Sequence, residues 1–139
     1  LYKFDDDGHG SVIAEEKLDS MEPYLGLHYP ESDIPKPARK LFASNFIRLI
    51  PDAHAEPVQI LPINHPQSQQ PIDLTNSILR TAANCHLEYL HNMGVGASLT
   101  ISLIKDGKLW GLIACHHQTP KYVSYEFRKA CEFLGRVIF

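Results

Sequence analysis

The most regular alternation of polar and apolar residues lies in the segment ASLTISLIKDGKLWGLIACHH, residues 97–117. Two strand-like stretches flank Asp106-Gly107, a pair that is typical of tight hairpin turns. In the first stretch, small hydroxyl side chains alternate with leucine and isoleucine: Ser98, Thr100 and Ser102 against Leu99, Ile101 and Leu103. This period of two predicts a β-hairpin with a hydroxyl face and a leucine face. Small hydroxyls donate and accept hydrogen bonds without filling space, so the hydroxyl face suits either solvent or a bulky polar ligand.

The length of the hairpin turn decides on which face His116 lies. A two-residue loop pairs Lys105 with Lys108 and puts His116 on the leucine face. A three-residue loop, with Gly107 left-handed and a bulge, pairs Ile104 with Lys108 and puts His116 on the hydroxyl face. Because a slip of one residue reverses every side chain of a strand, the turn determines what His116 can contact.

Shorter patterns predict the elements of the first half. Four strands are expected, at residues 1–4, 11–15, 46–51 and 57–62. A helix is predicted from about Pro35, with Ser32 and Asp33 as capping candidates. A second helix is predicted after Asp73, whose carboxylate can cap it.

Two more helices are predicted in the second half. One spans Asn84 to Met93 and ends at Gly94, since glycine suits a left-handed C-terminal residue. The other covers residues 125–139, and one apolar stripe of it holds Phe127, Cys131, Leu134 and Ile138. The order and type of all these elements predict an α+β fold, an antiparallel sheet flanked by helices on its faces.

Length and proline content limit the organisation of the chain. A chain of 139 residues is expected to form one domain, residues 1–139, and to bury enough surface to fold without a disulfide or a metal. Nine of the ten prolines lie between Pro23 and Pro71, which predicts turns and irregular connections there. The chain opens at Leu1 within a predicted strand, so we expect it to be a fragment of a longer protein.

Composition and charge exclude several functions. Lys plus Arg number 13 against 16 Asp plus Glu, a net charge of −3, which gives no basic surface for nucleic acid. No apolar run approaches the ~20 residues that span a bilayer, and the first residues, LYKFDDDGHG, are not a signal peptide. Three cysteines without a CxxC spacing indicate a reducing, cytoplasmic setting.

Cys85 is the most informative cysteine, because it lies at the predicted start of a helix and precedes His86. The N–H groups and the dipole at a helix N-terminus favour a thiolate. Tyr89 and Met93 follow at helical spacing and give the helix a mixed polar and aromatic face. A half-buried structural cysteine beside a surface histidine fits the same pattern.

Metal and enzyme sites are disfavoured. Adjacent strand residues point to opposite faces, so residues 115–117 (CHH) do not converge on one ion. Neighbours on a helix do not face each other, which makes Cys85 and His86 a poor nucleophile and base. Arg48 and Arg80 stand among apolar residues and suit either half-exposed structural positions or a bidentate clamp for carboxylates.

Four segments carry a joint signal: MEPYLGLHYPESDIPKPAR, NCHLEYLHNMGV, ASLTISLIKDGKLWGLIACHHQTPK and FRKACEFLGRV. Together they resemble the chromophore-binding GAF domain of cyanobacterial phytochromes over nearly the whole chain. The Cys-His pair alone is a weak signal, but its combination with SDIP and with the tandem histidines after LIAC is specific. The resemblance implies a GAF fold and red/far-red photoreception through a covalently bound linear tetrapyrrole, with no enzymatic activity in this chain.

The resemblance also implies roles for single residues. Cys85 would form the thioether to the A ring, so the cofactor would be phycocyanobilin or a close relative. Asp33 would organise the pyrrole nitrogens, His86 would share a water with the pyrrole N–H groups, and His116 would bind the D-ring carbonyl. Light would drive Z/E isomerisation of the bridge between rings C and D. Since His116 must then reach the hydroxyl face, we expect the three-residue hairpin loop with Gly107 left-handed.

Further residues are implied to contact the chromophore. Arg48 and Arg80 would bind its propionates with help from Ser98 and Thr100. The residues implied to line the pocket are Tyr2, Tyr29, Tyr89, Phe42, Ile34, Pro35 and Met93.

Phytochromes carry a preceding PAS domain, a following PHY domain and an output module. The resemblance therefore implies PAS, PHY and histidine kinase modules in the parent protein, with a response regulator as its partner. Two other classes stay open. A GAF domain that binds a free small molecule, such as a cyclic nucleotide, would not need Cys85, and a thiol enzyme would release its product. Covalent retention of a bilin after denaturation distinguishes the photoreceptor from both.

Overall fold

A computed structural model describes all residues, 1–139. Its strands are β1 (Tyr2–Phe4), β2 (Gly10–Val12), β3 (His28–Tyr29), β4 (Ile47–Ile50), β5 (Ala97–Lys105) and β6 (Lys108–His117). Its helices are α1 (Lys36–Ser44), α2 (Asn84–Asn92) and α3 (Tyr125–Val137), and a single 3-10 turn covers Glu31–Asp33. The strands form one antiparallel sheet in the order β3-β2-β1-β6-β5-β4, which confirms the α+β prediction. None of the helices is long and apolar enough to cross a membrane.

The turn between β5 and β6 differs from the prediction, although the predicted position of His116 is confirmed. Lys105 pairs with Lys108 across a two-residue loop, in which Asp106 (φ 50°) and Gly107 (φ 74°) are both left-handed. The expected three-residue loop is therefore wrong. The register then shifts between Leu103 and Ile104, since these residues pair with Gly111 and Leu109 and leave Trp110 as an extra residue. This bulge pairs His116 with Ser98, which puts both on the hydroxyl face.

The leucine face of the sheet packs against α3. Its core consists of five buried residues: Ile47, Leu49, Leu99, Ile101 and Cys131. Of the stripe predicted for α3, Cys131 is confirmed as a core residue, but the other three are wrong, because Phe127, Leu134 and Ile138 are 60%, 55% and 49% exposed. Alongside Cys131, the helix buries Arg128 and Gly135. A Cβ at Gly135 would lie 2.7 Å from Cγ2 of Ile101, so the absent side chain lets α3 approach β5 closely.

Helices α1 and α2 lie on the side of the hydroxyl face, over its two ends. From α2, Leu90 packs with Ile50, Ala53 and Val95 in a second buried cluster. Tyr2 pairs with Leu112, which pairs with Ser102, so Tyr2 and Phe4 also belong to the hydroxyl face. The Arg39 guanidinium of α1 lies 4.6 Å from the Phe4 ring centroid, which places α1 over this end of the face.

Several local predictions in the first half are wrong. Residues 57–62 form no strand, and β2 ends at Val12. Neither Ser32 nor Asp33 caps α1, because both lie in the 3-10 turn and α1 begins after Pro35 without a side-chain cap. Two prolines within residues 57–62 remove backbone donors that a sheet would need.

No helix follows Asp73. Its carboxylate accepts a hydrogen bond from the Thr75 N–H at 2.8 Å and closes a turn. Arg48 donates hydrogen bonds to the carbonyls of Ile78 and Arg80. In a helix these carbonyls would accept from backbone N–H groups of the next turn. A tertiary contact thus replaces the predicted helix.

The helix predicted from Asn84 to Met93, by contrast, is confirmed: α2 ends before Gly94, which is left-handed at φ 68°.

Candidate functional site

Arg48 and Arg80 form a pair of cations without an anionic partner. Arg48 lies on β4 opposite Thr100 and donates through Nη1 to the Ile78 carbonyl at 2.5 Å and through Nη2 to the Arg80 carbonyl. Arg80 donates to the Ser77 carbonyl at 2.9 Å. Burial, and secondarily the charge of Arg80, lowers the pKa of Arg48 to about 10. Since neither guanidinium forms an ion pair with a carboxylate, the site suits an added anion.

Two histidines lie beside this arginine pair. His86 is at the third position of α2, and burial followed by the charge of Arg48 lowers its pKa. His116 faces Ser98 on β6, and burial followed by the charge of His86 lowers its pKa. Each of these shifts favours the neutral ring, which can both donate and accept a hydrogen bond. The helix and the strand thus bring both imidazoles together on the hydroxyl face.

Three tyrosines lie near Asp33 at the other end of the face. The Tyr2 ring lies 6.1 Å from that of Tyr29, and burial is the main cause of the raised pKa of both. The carboxylate of Asp33 adds to the raised pKa of these two residues and of Tyr89. The 3-10 turn, β1, β3 and α2 therefore converge here, although they are far apart in sequence.

The Tyr2 hydroxyl is buried and has no hydrogen-bond partner within the chain. A Cβ at Gly10 would lie 2.2 Å from the Tyr2 ring, so the ring position requires a glycine on the neighbouring strand. An unsatisfied buried hydroxyl costs about 1–3 kcal/mol unless a water or ligand completes it. This orphaned group marks where an external partner is needed.

The other predicted residues occupy varied positions. Cys85 is exposed at the second position of α2, which confirms its predicted place at a helix start. Ser98 is buried, Thr100, Phe42 and Ile34 are half-buried, and Pro35 is exposed. Met93 packs against the Leu90 cluster, on the core side of α2. The ligand-binding roles of all these residues stay predictions.

Two residues near the candidate site, Tyr24 and Ser102, were not among those predicted from the sequence. The charge of Tyr24 adds to the raised pKa of Tyr29 and Tyr89, so it lies near both, but nothing in its local pattern indicates this. The Ser102 hydroxyl is buried without a partner on the hydroxyl face. The alternation of the strand contains this signal, since Ser102 continues the series of Ser98 and Thr100.

Two cavities lie beside this cluster. One, of about 730 Å³, opens between the β1–β2 turn and the β5–β6 turn and is lined by Phe4, Glu31 and Arg39, among others. The other, of about 520 Å³, lies between β4 and residues 55–63 and reaches Arg80 and Leu87. Neither contains His86 or His116, so the site is defined by its converging side chains rather than by either cavity.

The arrangement fits a particular ligand chemistry. Unpaired guanidiniums suit carboxylates, neutral imidazoles and an orphaned hydroxyl suit N–H and C=O groups, and tyrosine rings suit a flat conjugated molecule. A linear tetrapyrrole with two propionates combines these features, so the residues fit it. No group of three or more His, Cys, Asp or Glu side chains is arranged to hold a metal ion.

Comparisons with known proteins agree on one family. The sequence model of the GAF domain family matches residues 4–138. The chain is 83% identical over its full length to cyanobacterial phytochrome A of Nostoc and 68% identical to a phytochrome-like protein of Synechocystis. It spans 18% and 19% of the lengths of these relatives.

Solved structures agree as well. The chromophore-binding domain of a bacteriophytochrome from R. palustris is 44% identical, with a TM-score of 0.93 over 96% of this chain and 45% of that one. The chromophore-binding domain of a Stigmatella aurantiaca bacteriophytochrome is 54% identical, with a TM-score of 0.90 over 99% of this chain and 45% of that one.

Proposed function

The chain belongs to the GAF domain family, and from that premise we propose that it is the light-sensing domain of a red/far-red photoreceptor. It holds a linear tetrapyrrole between α2 and the hydroxyl face. The observation that carries this proposal is the uncompensated Arg48–Arg80 pair beside His86 and His116, in a chain 83% identical to a phytochrome. These side chains have the polar groups that a tetrapyrrole needs.

The arginines bind the propionates. Each guanidinium presents a planar fork that matches a carboxylate, and two carboxylates would compensate the two neighbouring positive charges. Ser98 and Thr100 add hydroxyls on the same face, since Thr100 is opposite Arg48 and Ser98 is opposite His116. Anchoring one side of the ligand in this way leaves the tyrosine end free to accommodate a second orientation.

The histidines and Asp33 hold protons at defined atoms. The lowered pKa of His86 and His116 favours their neutral rings, each of which presents one N–H donor and one acceptor, and Asp33 presents acceptors near the tyrosines. A bound bilin supplies light absorption and a Z/E isomerisation between its C and D rings. Tyr2 and Tyr29 form an aromatic surface beside Asp33, and the buried Tyr2 hydroxyl would form a hydrogen bond with the ligand. Two sets of hydrogen bonds then define two states of a switch.

Cys85 attaches the chromophore. Its thiol is exposed at the start of α2, next to His86, whereas Cys115 lies on the leucine face and Cys131 is buried. Only Cys85 therefore combines accessibility with proximity to the site. The attachment through this helix favours phycocyanobilin as the cofactor, and Phe42, Ile34, Pro35 and Met93 complete the proposed lining.

The longer relatives extend the proposal to a parent protein. The chain spans less than a fifth of their length, so we place it within a cytoplasmic sensor with PAS and PHY domains. A histidine kinase and a response regulator would carry the signal onward. This chain acts as the sensor, and catalysis belongs to the output module.

Covalent attachment is tested by co-expression with phycocyanobilin followed by denaturation. We expect the colour to stay with the wild-type chain and with Cys115→Ala, and to separate from Cys85→Ala. Cys115 is the matched control because it is an exposed thiol on the opposite face. Colour that stays with Cys85→Ala would refute the attachment site, and a wild type that takes up no bilin but binds a cyclic nucleotide would refute the proposed function.

A further inference from the structure

Arg39 connects two separate segments beside the site through backbone carbonyls. Its Nε donates to the Ile34 carbonyl at 2.6 Å, and its Nη2 donates to the carbonyls of Gly8 and, at 3.5 Å, Glu31. One guanidinium thus joins the β1–β2 turn to the segment that contains Asp33. Removing it would leave carbonyls of both segments without these donors.

The same guanidinium connects this segment to the aromatic end of the site. It stacks on Phe4 at 4.6 Å, and the Phe4 ring meets Tyr2 edge-on at 5.2 Å. Its charge also opposes the burial that raises the pKa of Tyr2, which agrees with this proximity. Tyr2 and Asp33 are therefore fixed relative to each other through one side chain.

Packing holds the segment that carries Asp33 only through half-buried residues. Neither the 3-10 turn nor α1 contains a buried residue, and the 730 Å³ cavity opens directly beside Glu31 and Arg39. The only ion pair there, Lys36–Glu31 at 3.8 Å, is exposed and contributes little. The fork of Arg39 is therefore the main polar contact that fixes this segment to the β1–β2 turn.

We propose that Arg39 is a positioning residue of the photoreceptor site, which sets the place of the Asp33 carboxylate relative to Tyr2 and Tyr29. This inference rests on the proposed function. Arg39 acts through Asp33 and touches no chromophore in this scheme. A lysine keeps the charge and can stack on Phe4, but its single ammonium cannot reproduce the planar fork that spans the two segments.

The experiment compares Arg39→Lys and Arg39→Gln with the neighbouring control Lys40→Gln, all loaded with phycocyanobilin. We expect all four chains, wild type included, to retain covalent colour, because Cys85 lies on α2. The thermal return of the light-induced state should change about tenfold in both Arg39 variants and stay unchanged in the control. The pH at which the red absorption band titrates should shift in the same two variants. If Arg39→Gln fails to fold, Arg39→Lys alone decides the outcome.

A double-mutant cycle distinguishes positioning from general stability. If Arg39 acts through Asp33, Arg39→Gln should change the return rate by less than about twofold in an Asp33→Asn background. Full additivity of the two substitutions, or unchanged kinetics and titration in both Arg39 variants, would overturn the inference. These results are distinct from failure of the proposed function, in which the wild-type chain itself would show no light-induced change.

Discussion

At the residue scale, the site keeps polar groups in an arrangement that costs free energy. Arg48 is half-buried next to a second guanidinium, and two carbonyl hydrogen bonds only partly offset its desolvation. The Tyr2 and Ser102 hydroxyls are buried without partners. A domain selected for stability alone would replace such groups with apolar ones. Their presence together on one face is therefore best explained by a ligand that completes them.

The lowered pKa of His116 predicts that the stability of the ligand-free chain depends on pH. Burial lowers its pKa in the folded state below the usual value near 6.5, so in mild acid the unfolded chain binds a proton that the folded chain does not. The free energy of unfolding should hence fall as the pH decreases below 6.5. His116→Gln should flatten this dependence, measured by urea unfolding between pH 7.5 and 5. Parallel curves for the two proteins would contradict the assignment. His116 is a better probe than His86, which keeps an exposed surface.

At the element scale, some structure is encoded locally and some is not. The β5–β6 hairpin and α2 could be predicted because their periodicity, turn residues and Gly94 agree. The α3 stripe could not, since the choice of face depends on a close approach at Gly135 rather than on hydrophobicity. The absence of a helix after Asp73 has a tertiary cause as well, because the carbonyls of Ile78 and Arg80 accept hydrogen bonds from Arg48. Pattern identifies elements, but contacts between distant residues decide how they pack.

Gly135 provides a prediction at this scale. In an isolated helix, glycine to alanine is stabilising by about 1 kcal/mol. Here the added Cβ would meet Cγ2 of Ile101 at 2.7 Å and the Ser102 carbonyl at 3.0 Å, and overpacking of this kind costs about 1–3 kcal/mol. Gly135→Ala should therefore lower the free energy of unfolding by about 1 kcal/mol. Thermal unfolding tests this against Val137→Ala, an exposed control on α3. A more stable Gly135→Ala chain would disprove the close contact.

At the scale of the whole molecule, the sheet separates two tasks. Its leucine face forms a core with α3, and its hydroxyl face, under α1 and α2, carries the candidate site. Strand alternation predicted that Ser98 and Thr100 share a face, but it left the face of His116 open, and only the resemblance placed His116 with them. The convergence of Asp33 with the tyrosines was implied by the resemblance alone, since β1, β3, the 3-10 turn and α2 meet only in the folded chain.

The most direct test of the photoreceptor account is the absorption spectrum of this chain after assembly with phycocyanobilin, recorded before and after red light and again after far-red light. The account predicts a red-absorbing form that red light converts to a second form, with far-red light restoring the first. A chain that stays colourless in the presence of the bilin, or one whose bound bilin has the same spectrum before and after illumination, would contradict it.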